Sequence, residues 1–392
     1  MNGHAVVAGG GIGGLAAAVG LLRAGWEVTV LESAPDFSEV GSGFALTANG
    51  VTALSALGLG EETRSLGHPL RAEGTRDVHG RWIARLDAEN APESLRLHGV
   101  HRQRLHGMLL AAAHGADLHH SATVHGVEPG SLPGEFARVH VTENGTTRRL
   151  SADLVVGADG LRSVVRAGVD PAVRVRYSGM SSWRGIAGST DLIGDAFRAY
   201  WGPAAEFGAL RIDQGEIYWY GYVRLPEHTD FSDELDAALT RFADWAEPVP
   251  ALIAATDPRR LLRHDVYELS PTAHRIAAGR VVLLGDAAHA MLPTMGQGVN
   301  TALEDAAALG RVVRPGELID GVARYSAERY GRTRGIQRRS AMMARIGSHL
   351  SNPAAVAARN GLMRLAPVGA MASSSSRIFD WLPPAPLPDA DD

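Results

Sequence analysis

The sequence contains no cysteine and no lysine. Without cysteine, disulfides, thiolate catalysis, cysteine-ligated zinc and sulfur-linked cofactors are excluded outright. A strong charge of either sign is missing too. The formal net charge is -5 and the isoelectric point is about 6.3, so there is no broad basic surface for nucleic acid. No apolar run reaches the length needed to span a membrane. The adjacent pair His119 and His120 has no third ligand at metal spacing; it reads as surface, and no metal is expected.

What remains is an ordinary globular composition, 45% hydrophobic and 21% charged, over 392 residues. That length implies two domains, or one large domain with an insertion. The first informative stretch is "VVAGGGIGGLAAAVGLLRAGWEVTVLE", Val6 to Glu32. Gly9, Gly11 and Gly14 form G-x-G-x-x-G between a strand-like and a helix-like run, the context of a dinucleotide-binding βαβ unit. Gly9 makes the tight turn, Gly11 lets the backbone approach a pyrophosphate, and Gly14 lets the helix lie close to the sheet. The helix start, with Ile12 and Gly13, points free N–H groups at the phosphates. Gly25 ends the helix, and Glu32 closes the second strand, where an acid suits an unphosphorylated ribose. So short a lead leaves no room for a signal peptide, and a cytosolic location is expected.

Further on, "NGVTALSALGL" reads as a short helix and "RDVHGRWIARLD" as a hairpin. Arg104 to Ala113 has helical periodicity, and a β-rich stretch then closes on the buried strand of "ADLVVGADG". Between Arg176 and Arg263 the chain reads as an inserted antiparallel sheet with an amphipathic helix, Ser232 to Ala246. The period of two in "EIYWYGYV" puts Tyr218, Tyr220 and Tyr222 on one face. A second apolar strand, "GRVVLLGDAAH", precedes helices over Gly298 to Val312 and Leu318 to Leu350, and the Pro-rich, acidic tail reads as partly disordered.

Three segments with the N-terminal glycines narrow the cofactor. "HRQRLHGML", "LVVGADGLRSVVR" and "GDAAHAMLPTMGQGVNTALEDA", in that order, resemble the motifs of the class A flavin monooxygenases, the family of p-hydroxybenzoate hydroxylase and salicylate hydroxylase. The resemblance implies an α/β fold: a Rossmann-like FAD-binding domain of the glutathione-reductase type with an inserted antiparallel β-sheet domain. The expected division gives 1–72, 98–175 and 266–392 to the FAD-binding domain, and 73–97 and 176–265 to the substrate sheet. It also implies non-covalent FAD, with NAD(P)H as a transient co-substrate. O2 would react with reduced flavin to a C4a-hydroperoxyflavin that hydroxylates or epoxidises an aromatic or other electron-rich small molecule.

Residue by residue, the resemblance puts Arg102 on the phosphates or ribityl chain and Asp159 where FAD and NAD(P)H meet the protein. Gly285 and Asp286 belong to the ribityl chain. Pro293, Gly296 and Gly298, with Val299 and Asn300 opening the helix, face the reacting edge of the isoalloxazine. One departure is Ser33, where the family commonly has arginine against the adenine. Only one G-x-G-x-x-G occurs, so no separate nicotinamide domain is visible.

No catalytic base is nominated by spacing. Tyr218 and Tyr220 suit a flat substrate or ordinary cross-strand packing, and His289 suits proton tuning or a structural bond; Trp183 and Arg184 read as sheet packing. An FAD reductase that does not use O2 remains an alternative. A flavin halogenase fits poorly, since its W-x-W-x-I-P motif and flavin-side lysine are both missing.

Overall fold

A computed structural model describes residues 3–38, 42–86, 95–188, 192–270, 274–365 and 378–386. The chain opens on β1 (His4–Ala8), whose apolar residues are fully buried because parallel strands flank it on both sides. After the glycine turn come α1 (Ile12–Arg23) and β2 (Glu27–Leu31). Gly25, at φ +83°, provides the left-handed residue beyond the helix end. β3 (Gly43–Leu46), α2 (Ala48–Ala56) and α3 (Gly60–Arg64) lead to the hairpin of β4 (His68–Asp77) and β5 (Trp82–Arg85). β6 (Arg96–His101) runs directly into α4 (Arg102–Ala112). β7 (Asp117–His119) joins β2, and β8 (Ala122–Glu128), β9 (Ala137–Glu143) and β10 (Thr146–Ala152) form a separate meander. β11 (Leu154–Gly157), buried at every residue, then slots in beside β1.

After α5 (Val165–Val169) come four long strands: β12 (Arg174–Gly188), β13 (Ala196–Gly202), β14 (Ala205–Asp213) and β15 (Glu216–Arg224). α6 (Glu234–Phe242) and α7 (Val249–Ala254) cover them, and β16 (Leu262–Ser270) returns alongside β12. β17 (Ala277–Ala278) and β18 (Val281–Leu283) rejoin the first sheet, followed by α8 (Asp286–His289), α9 (Gly298–Val312), α10 (Leu318–Ile346) and α11 (Pro353–Arg364).

Two large sheets result. The first has the order β17-β18-β11-β1-β2-β7, and α1 and α9 pack together beside it. These helices cross at glycines: a Cβ on Gly310 would stand 2.7 Å from the Gly20 backbone, so only hydrogen permits the approach. The second sheet, of nine strands, runs β16-β12-β15-β14-β13-β4-β6-β3 with β5 on β4. One side of it is an aromatic core in which Trp183, Phe207, Trp219 and Phe242 are buried, and Phe207 stacks on Trp219 with centroids 5.5 Å apart. The other side carries the tyrosines.

Some sequence expectations need correction. The second sheet is mixed rather than antiparallel, because β13 runs parallel to β4. The direction of β13 is set by its hairpin with β14, and β4 lies too far back in the chain to impose one. This sheet also takes in residues 43–46 and 98–101. The helix expected over 232–246 is regular only over Glu234–Phe242, starting where the Asp233 carboxylate caps the Leu235 and Asp236 amides. α10 stops at Ile346 because Gly347 leaves helical geometry. In the tail, residues 378–386 are held against the protein: Ile378 and Trp381 are buried, Arg332 donates to the Ile378 carbonyl at 2.7 Å, and Arg311 donates to that of Pro384 at 2.6 Å. The rest of the tail, 366–377 and 387–392, lies outside the described residues.

Candidate active site

The C-terminal ends of β1, β11 and β18 converge on one cavity of about 640 Å³, whose far wall is the tyrosine face of the second sheet. Ligands of open α/β sheets bind at such strand ends. Gly11, Ile12 and Gly13 line it after β1, and Gly285 and Asp286 after β18. Arg102, at the start of α4, and Pro293, Gly296, Gly298 and Val299, around the start of α9, complete the near wall.

The glycines divide the work. A Cβ on Gly14 would sit 1.9 Å from the Gly9 carbonyl oxygen, and Gly9 holds φ +108° with its own Cβ position 2.4 Å from the Ala158 carbonyl. Both shape the turn and neither lines the cavity. Gly11 and Gly298 meet nothing within 4 Å, so their bare backbone faces open space. α1 has no acidic residue in its first turn and no side-chain cap, which leaves its amides available to an anion. Open backbone at two helix starts, an arginine between them and an exposed Asp286 fit a pyrophosphate, a polyhydroxyl chain and a flat ring system.

Four expected site residues stand behind the lining. Glu32 Oε2 accepts from the Gly10 amide at 2.7 Å, and its Oε1 accepts from the Ala34 amide at 2.7 Å and the Ser33 hydroxyl at 3.1 Å. Asp159 Oδ2 accepts from the Val164 and Val165 amides, and its buried Oδ1 has no partner among the described residues. Asn300 accepts from the Thr47 amide at 3.0 Å and donates to the Ala45 and Gly296 carbonyls, pinning the β3–α2 loop to the α9 start. His289 is 2% exposed, with Nε2 2.5 Å from Asp305 Oδ2. Asp305 also accepts from the Gly285 amide at 2.9 Å and from Arg329 Nε at 2.6 Å. Burial pushes the Asp305 carboxyl up, but the His289 ring and the Arg329 guanidinium outweigh it and hold the group down at about 2.

On the far wall, Tyr218, Tyr220 and Tyr222 share the cavity face, as the alternation predicts. Backbone register sets two rows across the strands. One runs His264, Ser182, Tyr222, Glu206, Trp201; the other runs Leu262, Arg184, Tyr220, Gly208, Ala199. Trp183 packs on the opposite side, as expected, with Nε1 donating to Glu234. Arg184 does not: it lines the cavity, and its buried Nε has no partner among the described residues. Strand alternation separates the two neighbours, so the sheet-packing expectation holds for only one of them. Desolvation at the cavity wall and the Arg184 charge push His264 down to about 4.

Glu206 escaped the sequence reading. It is 3% exposed, lines the cavity, and accepts from the Tyr220 hydroxyl at 3.2 Å; burial raises its carboxyl to about 7. A signal was present, since "AEFGAL" places one carboxylate in an otherwise apolar strand.

With a dinucleotide turn and a polar, aromatic sheet face opening onto the same space, the class is an enzyme that holds a dinucleotide cofactor against a small molecule. The chain belongs to the FAD binding domain family, whose model matches residues 3–334, and it is an FAD-dependent monooxygenase. It is 35% identical over 365 residues to the aurachin C monooxygenase/isomerase of Stigmatella aurantiaca, covering 92% of this chain and 93% of the relative. It is 32% identical over 345 residues to an FAD-dependent urate hydroxylase of Klebsiella pneumoniae, covering 84% and 86%. The crystal structure of Klebsiella pneumoniae HpxO complexed with FAD and uric acid matches with a TM-score of 0.83 and 28% identity over 96% of each chain. Among the described residues no helix is long and apolar enough to cross a membrane.

Proposed function

We propose that the protein uses NAD(P)H and O2 to hydroxylate a flat aromatic or heteroaromatic small molecule carrying an oxygen substituent that Arg184 binds. The observation that carries this reading is Arg184, which lines the cavity beside the tyrosine rings, hydrogen-bonds Tyr222, and has a buried Nε with no partner among the described residues. Burying a charge without full hydrogen bonding is costly, and an electron-rich oxygen on a ligand relieves that cost. The rings of Tyr218, Tyr220 and Tyr222 suit a planar partner, and Phe197, Leu210 and Met343 give the rest of it apolar contact.

FAD, when bound, supplies the electron transfer and the oxygen activation. The chain's part is to hold and shield. Gly11 and the α1 amides would bind the pyrophosphate, with Glu32 holding the turn behind them through the Gly10 and Ala34 amides, while Arg102 and Asp286 would hold the phosphate and ribityl region. The α9 start at Gly298 offers backbone N–H groups and a positive dipole end to negative charge on the ring system. The sheet face that walls the cavity keeps bulk water from the reacting ring and strengthens each of these interactions.

The test is a screen of phenolic, indolic and quinolone compounds with the FAD-loaded enzyme. The expected result is accelerated NAD(P)H oxidation, matched by oxygen uptake and by a product heavier by a single oxygen atom. Accelerated NAD(P)H oxidation with no oxygen entering any product would replace this reading with the reductase one.

A further inference from the structure

We infer that Glu206, working through the Tyr220 hydroxyl, is the base that removes an O–H or N–H proton from the bound substrate, so that the molecule to be oxygenated is a weak acid reacting as its anion. The inference rests on the hydroxylase reading above and adds to it a proton acceptor and an ionisable substrate group.

Its geometry comes from the two sheet rows. Tyr220 stands between Arg184 on one side and Gly208 on the other. Its ring lies over Gly208 so closely that a Cβ there would come within 2.3 Å of Tyr220 Cζ and 2.4 Å of its oxygen. The missing side chain at 208 lets the ring lean across β14 and bring its hydroxyl 3.2 Å from Glu206 Oε1. Glu206 itself turns toward the cavity, away from the aromatic core that buries its neighbour Phe207. Glu206 accepts hydrogen bonds from the Tyr220 hydroxyl and from the Trp201 indole, and keeping a carboxylate buried with only these two donors is costly, which argues for chemistry.

The charged and titratable groups around it are few. From β15, Tyr220 and Tyr222 face Glu206; β13 presents Trp201, which does not titrate. Arg184 of β12 and His264 of β16 stand farther along the same rows. Burial dominates, and the carboxyl sits at about 7, where it can both take and return a proton near neutrality.

The step balances. The substrate O–H bond breaks and leaves its electron pair on oxygen, beside the Arg184 guanidinium. Tyr220 Oη takes that proton while its own O–H bond breaks, and the second proton forms the Oε1–H bond of Glu206. On product release the carboxylic acid gives the proton back by the reverse path.

The test compares the FAD-loaded wild type with Glu206→Gln and Tyr220→Phe, using ring-substituted phenols and hydroxyquinolines of graded acidity over about pH 5 to about pH 9. In the wild type, kcat/KM for stimulated NAD(P)H oxidation rises through a limb near pH 7 for the weakly acidic compounds and shows no such limb for those already ionised in solution. Both variants lose that limb; their rates fall about 100-fold for weakly acidic compounds and stay within about threefold for those already ionised in solution. An infrared difference between wild type and Glu206→Gln reads the carboxyl directly and shows it losing its proton near neutrality. A carboxyl band that titrates in the ordinary range near pH 4 overturns the inference, as does a variant that keeps the limb and the rate. If the band titrates near neutrality but no compound stimulates the wild type, the hydroxylase reading itself has failed and the base assignment goes with it.

Discussion

Asp305 is the residue whose removal should be felt farthest. It is fully buried and holds three groups from different parts of the chain: the Gly285 amide of the cofactor-facing turn, the His289 ring and the Arg329 guanidinium of α10. A carboxyl lowered from 3.8 to about 2 favours the folded, ionised form by about 2 to 3 kcal/mol. Breaking a buried pair by deleting one partner costs about 3 to 5 kcal/mol, because the surviving charge stays buried. Arg329 keeps Glu304 at 2.7 Å, which places Asp305→Asn toward the lower figure, at about 3 kcal/mol. The sign follows from the depressed carboxyl: its contribution is complete above about pH 4 and is lost as pH falls toward about 2. Urea unfolding of the FAD-loaded protein should therefore show the variant about 3 kcal/mol less stable at neutral pH, with the gap narrowing below about pH 4. The loss of one bond to the Gly285 amide should also weaken FAD binding by about fivefold. A variant within about 1 kcal/mol of wild type at neutral pH, or a gap that ignores acid, would refute the argument.

Two further changes probe the nucleotide turn. Gly14→Ala places a carbon 1.9 Å from the Gly9 oxygen, so the variant should purify without yellow colour or fail to accumulate; a normally flavinated preparation would show that the turn can relax. Glu32→Ala removes the acceptor for the Gly10 and Ala34 amides, and the FAD dissociation constant should rise by the equivalent of about 1 to 3 kcal/mol, read by fluorescence titration. An unchanged constant would mean that water replaces the carboxylate without loss.

The legible parts of the molecule were those where backbone geometry admits few residue types. The dinucleotide turn was one, since only glycine tolerates the Gly9 conformation and the Gly14 contact. The helix over Gly298 to Val312 was another, bounded by Gly296 at φ +62° on one side and followed by a regular apolar period. Alternation likewise put the three tyrosines on a shared face. It does not say which face looks into the cavity, so by alternation alone Arg184 reads as packing and Glu206 carries no mark of the cavity. Asn300 and Glu32 hold loops through backbone groups distant in sequence or hidden in the turn, and local spacing carries no trace of such partners. The parallel pairing of β4 with β13 was invisible for a related reason: it joins segments that are not neighbours along the chain.

The segment 378–386 is gripped by its carbonyl oxygens, at Ile378 and Pro384, and it delivers the Phe379 side chain to the cavity. A guanidinium holding a carbonyl is indifferent to the side chain that residue bears. The anchoring is thereby uncoupled from the shape presented inside, and position 379 can change in bulk while the strap keeps its course. Diversification of substrate preference among descendants of this scaffold has an easy starting point there, one that leaves the prosthetic group's own cradle untouched.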